Sequence, residues 1–363
     1  MQKFRRIVRK RKTELTAACL LLLLSLAMAF AGSWFYRQYR KQVIQTEKSQ
    51  LLTMAGIIGN NLNTYLDEQL QQIDLFYAQE ADSENNMPPE DIQTRTAYFL
   101  KENGGLYNWI TVTEPDGTSL RYETGKEAVR EQAEEAIQQG KNQLPDQPSR
   151  IFGKAISDQT GWYELYIRKE VPSENGICIL TFAMNLETIY QKIIAPVKIG
   201  RDGYSSVKDQ NMYIIMHHAK DQIGLEAFDD RMKKYPELDL TSMNDWIKKQ
   251  EQDASGTGVI DTYVWDDPGL AKVQRVVAFQ SIYIQGERWI VNSTLPVHEL
   301  SGPLESMMTM LIGVMVLYMM ILVVIMVFFL RNRFLAESQQ KEITYLKEIN
   351  HGMEMLVQKN NEI

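Results

Sequence analysis

The chain of 363 residues is long enough for two or three domains, and its hydrophobic content of 44% is ordinary for a folded protein. Its two cysteines, Cys19 and Cys178, lie in different segments, which excludes an intramolecular disulfide within the large middle segment. The formal net charge of −7 does not favour nucleic acid as a partner.

Two uncharged apolar runs, Leu15–Tyr36 and Ser306–Leu330, are each long enough to cross a bilayer core of roughly 30 Å. Seven basic residues precede the first run, and Arg331 and Arg333 follow the second. Lys and Arg concentrate on the cytoplasmic side of membrane helices. We therefore predict that both termini are cytoplasmic and that residues 37–305 lie outside the membrane. The middle segment has 27 basic and 40 acidic residues, and this excess of negative charge suits a soluble domain outside the membrane.

A cleavable signal peptide is the alternative interpretation of the first run, since Ala27-Met28-Ala29 is similar to a small-residue cleavage site. The apolar character continues beyond this site to Tyr36, and Trp34, Phe35 and Tyr36 form an aromatic cluster typical of the outer membrane interface. This continuation favours a retained membrane helix.

The segment from Arg37 to Asn86 contains no proline and predicts one long helix. Its apolar residues recur at steps of three or four, as on one face of a helix. These residues are Leu51, Ala55, Ile58, Leu62, Leu66, Leu70, Ile73 and Tyr77. Met87-Pro88-Pro89 then ends the pattern.

The next segment predicts a compact α+β unit of short strands. Glu114–Gly117 is a turn between two strands, and Lys126–Gln139 is predicted to be helical. The predicted strands are 107–113, 118–123, 150–157, 160–171 and 177–185, followed by a short helix at 186–194.

A second unit with the same organisation follows Ala195-Pro196. Its predicted strands are 204–208, 212–217, 258–265, 272–282 and 288–295, and its predicted helices are 225–235 and 242–251.

Several of these segments resemble the double-Cache extracellular sensor domains of bacterial transmembrane receptors. The resemblance lies in Gly200–Lys208 with Tyr213–His217, in Gly286–Val291 with Val297–Leu300, and in Gly161–Tyr163 with Asn185–Tyr190. It covers most of Arg37–Gly302 and is strongest to the input half of membrane histidine kinases.

The resemblance implies an α+β fold with two tandem PAS-like Cache modules on a long N-terminal helix, flanked by two transmembrane helices and a cytoplasmic helix. The predicted domains are a basic cytoplasmic N-terminus (1–14), a transmembrane helix (15–36), a long extracellular helix (37–86), a membrane-distal Cache module (87–195), a membrane-proximal Cache module (196–305), a second transmembrane helix (306–330) and a cytoplasmic signalling helix (331–363). The location it implies is the bacterial plasma membrane.

The candidate ligand-binding residues are Trp109, Arg121, Trp162 and Tyr163, because an arginine among aromatic rings suits an anionic or planar ligand. The alternative is that the aromatic residues belong to the core and that Arg121 is solvated. Amino-acid-binding members of the family carry an Arg, Trp and Tyr cluster that is missing from Arg121–Gln132, which puts amino-acid recognition in doubt.

No catalytic motif is present, and neither a cofactor nor a metal is predicted. His217 and His218 are adjacent, so on a strand they would point to opposite faces and could not share an ion. His351 lacks the following proline of a phosphorylation motif. The chain as given is therefore expected to have no enzymatic activity.

The tail after Arg331 predicts a helix with a short heptad pattern. Its apolar seam, at Leu346, Ile349, Met353, Leu356 and Ile363 with Asn360 as a polar position, favours a parallel homodimer reinforced by the membrane helices. The partners expected are thus a small extracellular solute, a second copy, and a cytoplasmic kinase or other output protein. The alternative function is a membrane scaffold with a ligand-free ectodomain.

Overall fold

The computed structural model describes residues 2–78, 87–124, 126, 129–132, 149–265, 267 and 269–361. These residues form two compact units. One unit is Val43–Leu300, which holds all the strands described. The other consists of the residues up to Gln42 together with those from Ser301 onward, and it holds both apolar runs.

The described chain is an α+β structure with two antiparallel sheets. Its elements, in chain order, are α1 (Gln2–Ala78), α2 (Pro89–Glu102), β1 (Tyr107–Thr113), β2 (Thr118–Glu123), β3 (Val129–Gln132), β4 (Arg150–Ile156), β5 (Tyr163–Ser173), β6 (Gly176–Asn185), α3 (Leu186–Ile189) with a π turn (Tyr190–Ile194), β7 (Tyr204–Lys208), β8 (Ile214–Met216), α4 (Asp229–Lys234), α5 (Thr241–Gln252), β9 (Ser255–Tyr263), β10 (Lys272–Ile284), β11 (Glu287–Pro296) and α6 (Ser301–Asn361).

Helix α1 buries the face that its spacing predicts, which confirms that prediction. The eight apolar residues from Leu51 to Tyr77 are all buried, and none is more than 6% exposed. Burial of each Leu or Ile contributes roughly 1.5–3 kcal/mol relative to exposure. Gly59 lies where α1 comes close to β10, since a Cβ there would be 2.6 Å from the Cγ2 of Ile282.

The first sheet has the strand order β3-β2-β1-β6-β5-β4 and is built from residues 107–185. One of its faces packs against α1 and α2 through aromatic rings. The Phe182 ring lies 5.6 Å from that of Phe99 and 6.2 Å from that of Tyr77. Ile110 and Val112 of β1 belong to the same core and are fully buried. The opposite face of the sheet is therefore left for other contacts.

The second sheet has the strand order β8-β7-β11-β10-β9 and is built from residues 204–296. Val276 and Ala278 pack with Leu51 of α1 on one face. Phe279 packs with Trp246 of α5 on the other face, with ring centroids 5.3 Å apart. Both modules therefore have a sheet with α1 on one side.

One local prediction fails and one helix was overlooked in residues 87–195, which are called the distal module below, and residues 196–305 the proximal module, after their predicted positions. Residues 129–132, predicted as part of a helix at 126–139, form strand β3, because the edge of β2 offers unpaired backbone groups to which they can bond. Positions 127–128 and 133–139 of that prediction lie outside the described residues. Helix α2 was not predicted, although Pro89 at its first position and the acidic residues Glu90 and Asp91 in its first turn are helix-start signals.

Within the described side chains, one helix, Glu305–Met355, is long and apolar enough to cross a membrane. The first apolar run lies within α1, where side chains are described only from Leu22 onward. An arrangement with two membrane spans therefore stays a prediction.

Candidate functional site

The face of the distal sheet that points away from α1 carries polar and aromatic side chains. Strand alternation directs Ile110 and Val112 into the core and Trp109 and Thr111 to this outer face. The register aligns Thr111 with Arg121 on one side and with Thr181 on the other. Side chains that are distant in sequence thereby become neighbours on one surface.

A cavity of about 240 Å³ lies on this outer face. Residues from strands β1, β2, β4, β5 and β6 line it together with the loop that follows β4. The lining residues are Trp109, Arg121, Phe152, Ile156, Ser157, Asp158, Gln159, Glu164, Tyr166 and Thr181. The volume is enough for a small solute.

Arg121 is held in place by a ring and a carboxylate. Its guanidinium carbon lies 4.3 Å from the centroid of the Trp109 ring, and its Nε lies 3.1 Å from the Oε1 of Glu123. The Trp109 ring in turn lies 5.6 Å from that of Tyr166. The stacking and the ion pair place a positive group beside two aromatic planes in the cavity.

Two carboxylates give the same cavity negative charge. Glu164 is only 4% exposed, and its Oε1 accepts a hydrogen bond from the Nδ2 of Asn108. Asp158 lies in the loop after β4. The cavity therefore offers a guanidinium and two carboxylates, a set suited to a ligand that carries both signs of charge.

Of the four residues predicted to bind ligand, Trp109 and Arg121 lie together in this cavity. Trp162 and Tyr163 do not line it, because both are buried on the core side, 4% and 9% exposed. The Trp162 ring packs 5.3 Å from that of Tyr190. Neither residue contacts the cavity, and their role in ligand binding stays a prediction.

Glu164 and Tyr166 were not predicted as site residues, although the alternation of buried side chains along β5 indicates which face they share. Tyr163, Leu165 and Ile167 face the core, so the residues between them must face the cavity side. The side chains of Phe152 and Thr181 could be assigned to the cavity only once the sheet order was known.

The two adjacent histidines do not point to opposite faces of a strand, as the sequence predicted, because both lie beyond the strand. Strand β8 ends at Met216, and beyond it the rings of His217 and His218 stack with centroids 4.4 Å apart. The Nδ1 of His217 accepts a hydrogen bond from the backbone N–H of Ala219 at 3.0 Å. That interaction occupies one of the two ring nitrogens able to bind a metal.

Among the described residues, one cluster has metal-binding side chains within reach of one another, namely Asp202, His298 and Glu299. Both carboxylates of this cluster already have hydrogen-bond or ion-pair partners within the protein. Glu299 accepts from the backbone N–H groups of Arg201 and Asp202, and Asp202 pairs with the Arg201 guanidinium at 3.0 Å. These contacts explain the cluster without an ion.

Scans against protein-family models and curated proteins gave no match. Among solved structures, the chain is similar to the extracellular domain of the candidate histidine kinase vpHK1S-Z8. The identity is 14% and the TM-score 0.52, and the alignment covers 72% of this chain and 97% of that chain.

The ligand-binding domains of two Pseudomonas aeruginosa PAO1 amino acid chemoreceptors are also similar. PctB in complex with L-Arg has 15% identity, a TM-score of 0.47 and coverage of 69% of this chain and 94% of its own. PctC in complex with GABA has 14% identity, a TM-score of 0.47 and coverage of 68% and 99%. The long N-terminal helix and the two antiparallel sheets, together with the similarity to the vpHK1S-Z8 domain, confirm the resemblance seen in the sequence: the chain has the double-Cache fold.

Proposed function

We propose that the chain is a transmembrane receptor whose double-Cache unit binds a small extracellular solute in the distal cavity. The observation that carries this proposal is the grouping of Trp109, Arg121, Glu164 and Tyr166 from separate strands around one cavity of about 240 Å³. An apolar helix after the proximal module, Glu305–Met355, supports attachment to a membrane.

The chemistry of the cavity favours a small zwitterion, such as a carboxylate that also carries an amino group. The guanidinium of Arg121 suits the anionic end, and Glu164 and Asp158 suit the cationic end. The aromatic planes of Trp109 and Tyr166 would cover the apolar part. The absence of an Arg, Trp and Tyr cluster within residues 121–132 is no obstacle, since other strands supply aromatic residues to Arg121.

Signalling requires that the ligand bind one state of the receptor more tightly than another, because only differential affinity shifts a population. We propose that the shift reaches the cytoplasm through a second membrane helix and a dimeric tail. The output is then a histidine kinase of a two-component system, of which this chain is the input part. The scaffold hypothesis differs in predicting no ligand at all.

The test is a thermal-shift screen of the full chain in lipid nanodiscs against amino acids, amines and organic acids. We expect stabilisation by zwitterions, and Arg121→Gln should weaken the response about 10- to 100-fold, because a charge-assisted hydrogen bond contributes about 1.5–3 kcal/mol. Arg201→Gln is the matched control, since the Arg201 side chain is 77% exposed and remote from the cavity lining. A flat response across the library would favour the scaffold.

A further inference from the structure

The proximal module contains a second cavity, between its sheet and helix α5. The cavity lies on the face of the sheet opposite α1, as the distal cavity does, and has a volume of about 50 Å³. That volume holds a few water molecules or a group of similar size. The lining combines charged, polar and apolar side chains.

Three cationic side chains line this cavity and are buried. Lys208, Arg231 and Arg275 are 7%, 5% and 4% exposed. No Asp or Glu is among the lining residues. Within the described parts of the chain, none of the three cations forms an ion pair with a carboxylate.

The hydrogen-bond partners of the three cations are neutral. Lys208 Nζ donates to Gln250 Oε1 at 2.6 Å, and Arg231 Nε donates to Gln222 Oε1 at 3.0 Å. Arg275 Nη1 donates to the backbone carbonyl of Asp202 at 3.1 Å. These partners satisfy donors but do not balance the charge.

The positive charge persists at neutral pH. Burial lowers the pKa of Arg231 to about 10, which leaves its guanidinium protonated. Burial, and then the charge of Arg231, lowers the pKa of Lys208 to about 7. Arginine cannot escape burial by losing its proton. Asp221 and Glu226 offset part of the Arg231 charge, and Asp202 part of that of Arg275, but none of these carboxylates lines the cavity.

The cavity also has unused hydrogen-bonding groups. Arg275 Nε and Thr294 Oγ1 are buried and have no partner among the described residues. Buried polar atoms of folded proteins are almost always bonded. A donor on Arg275 and a hydroxyl on Thr294, both at the lining of one cavity, indicate an acceptor group that belongs to a ligand.

We propose that this cavity binds a short monocarboxylate, with the carboxylate at Arg275 and Thr294, where the unpartnered groups lie, and the apolar end against Trp246 and Val277. Lys208 and Arg231 add positive charge to the same cavity. The anion supplies the missing negative charge and accepts the hydrogen bond that Arg275 Nε lacks. A carboxylate with one or two further carbons matches both the volume and the apolar part of the lining. The site is separate from the distal cavity and does not depend on the function proposed for it.

The test is the melting temperature of the full chain in nanodiscs with sodium acetate, propionate, phosphate, sulfate or chloride at one ionic strength. Acetate or propionate should give a saturable rise of about 5 °C or more over chloride when its concentration is about 100 times the dissociation constant. Lys208→Met should melt higher than the wild type in chloride, because a buried charge is removed, and should respond severalfold more weakly to the carboxylates, because the cavity is then less positive.

Thr294→Val provides an independent variant, because it keeps the shape and removes only the unpartnered hydroxyl. It should weaken carboxylate binding severalfold. The distal variant Arg121→Gln should respond like the wild type, which separates this site from the distal one. The proposal is overturned if the carboxylates give no saturable shift over chloride, if Lys208→Met and Thr294→Val respond as the wild type does, or if only phosphate and sulfate stabilise the protein.

Discussion

Lys208 and Lys154 are both largely buried lysines in opposite electrostatic environments. Burial works against the charge of Lys154, but Glu287 and Asp209 accept its hydrogen bonds and raise its pKa above the ordinary value. Lys208 has no carboxylate partner among the described residues, and burial lowers its pKa. The first lysine stabilises the fold, whereas the second is available to an anion.

The lowered pKa of Lys208 predicts a pH dependence of stability. Between about 7 and the ordinary value of 10.5, the unfolded chain binds a proton that the folded chain does not, so the contribution of this group falls as pH falls. The advantage of Lys208→Met over the wild type should grow from pH 10 to pH 7, by at most about 1.4 kcal/mol per pH unit, and level off below. Denaturant unfolding in chloride buffer at several pH values measures it, and a constant difference would contradict it.

At the scale of elements, α1 is the structure on which both sheets pack. Leu51 contacts the proximal sheet and Tyr77 the distal one, so a single helix face connects the two cores. The helix approaches β10 at Gly59, where the side chain of Ile282 fills the space beside the backbone. Gly56, one turn earlier, has open space around its Cβ position.

These two glycines give a matched prediction. Gly59→Ala should destabilise the protein by about 1–3 kcal/mol, because the new methyl group overlaps the Cγ2 of Ile282. Gly56→Ala should stabilise it by about 0.5–1 kcal/mol, since alanine is the better helix former and meets nothing. Both are measured as changes in the free energy of unfolding. Equal effects would mean that α1 does not approach β10 as described.

At the scale of the molecule, the two modules belong to one compact unit and are joined by charged contacts. Lys154 of β4 lies 3.2 Å from the Oδ2 of Asp209 and also pairs with Glu287, both in the proximal module. The side chain of Gln285 links the modules as well, through Ile151 N–H and the Ser149 carbonyl. A change in one module therefore has a direct route to the other.

Removing the ion pairs of Lys154 should lower the free energy of unfolding. Lys154→Met leaves Asp209, whose side chain is 4% exposed, without its cation, and should destabilise the unit by about 3 kcal/mol. Lys233→Met removes an exposed pair with Asp230 and should change stability by less than about 0.5 kcal/mol. Thermal and denaturant unfolding of both variants test the difference, and a neutral Lys154→Met would show that the modules do not rely on this bridge.

The membrane topology can be tested by cysteine labelling. Cys178 is buried and Cys19 lies in an apolar run, so the wild-type chain should resist a membrane-impermeant maleimide. Lys233→Cys should label in intact cells, and Lys341→Cys should label only after the membrane is permeabilised. Labelling of both in intact cells would place the tail outside and contradict the two-span prediction.

Features that depend on local sequence were predicted well. The spacing of apolar residues identified the buried face of α1 from Leu51 to Tyr77, because helical period is a local property. Strand β7 and the turn at Glu114–Gly117 followed from short-range patterns. Strand β3 did not, because it forms only through pairing with β2, which residues 129–132 do not encode by themselves.

The sequence by itself determined which residues share a helix face or a strand face, where turns interrupt them, and where an apolar run could meet a membrane. Only the tertiary structure decided that Tyr166 joins Trp109 and Arg121 at a cavity while Trp162 and Tyr163 face the core. Only it showed that Lys208, Arg231 and Arg275 surround a second cavity. The reason is physical: alternation divides a strand into two faces, but the packing of helices from elsewhere in the chain decides which face is the core and which faces a cavity.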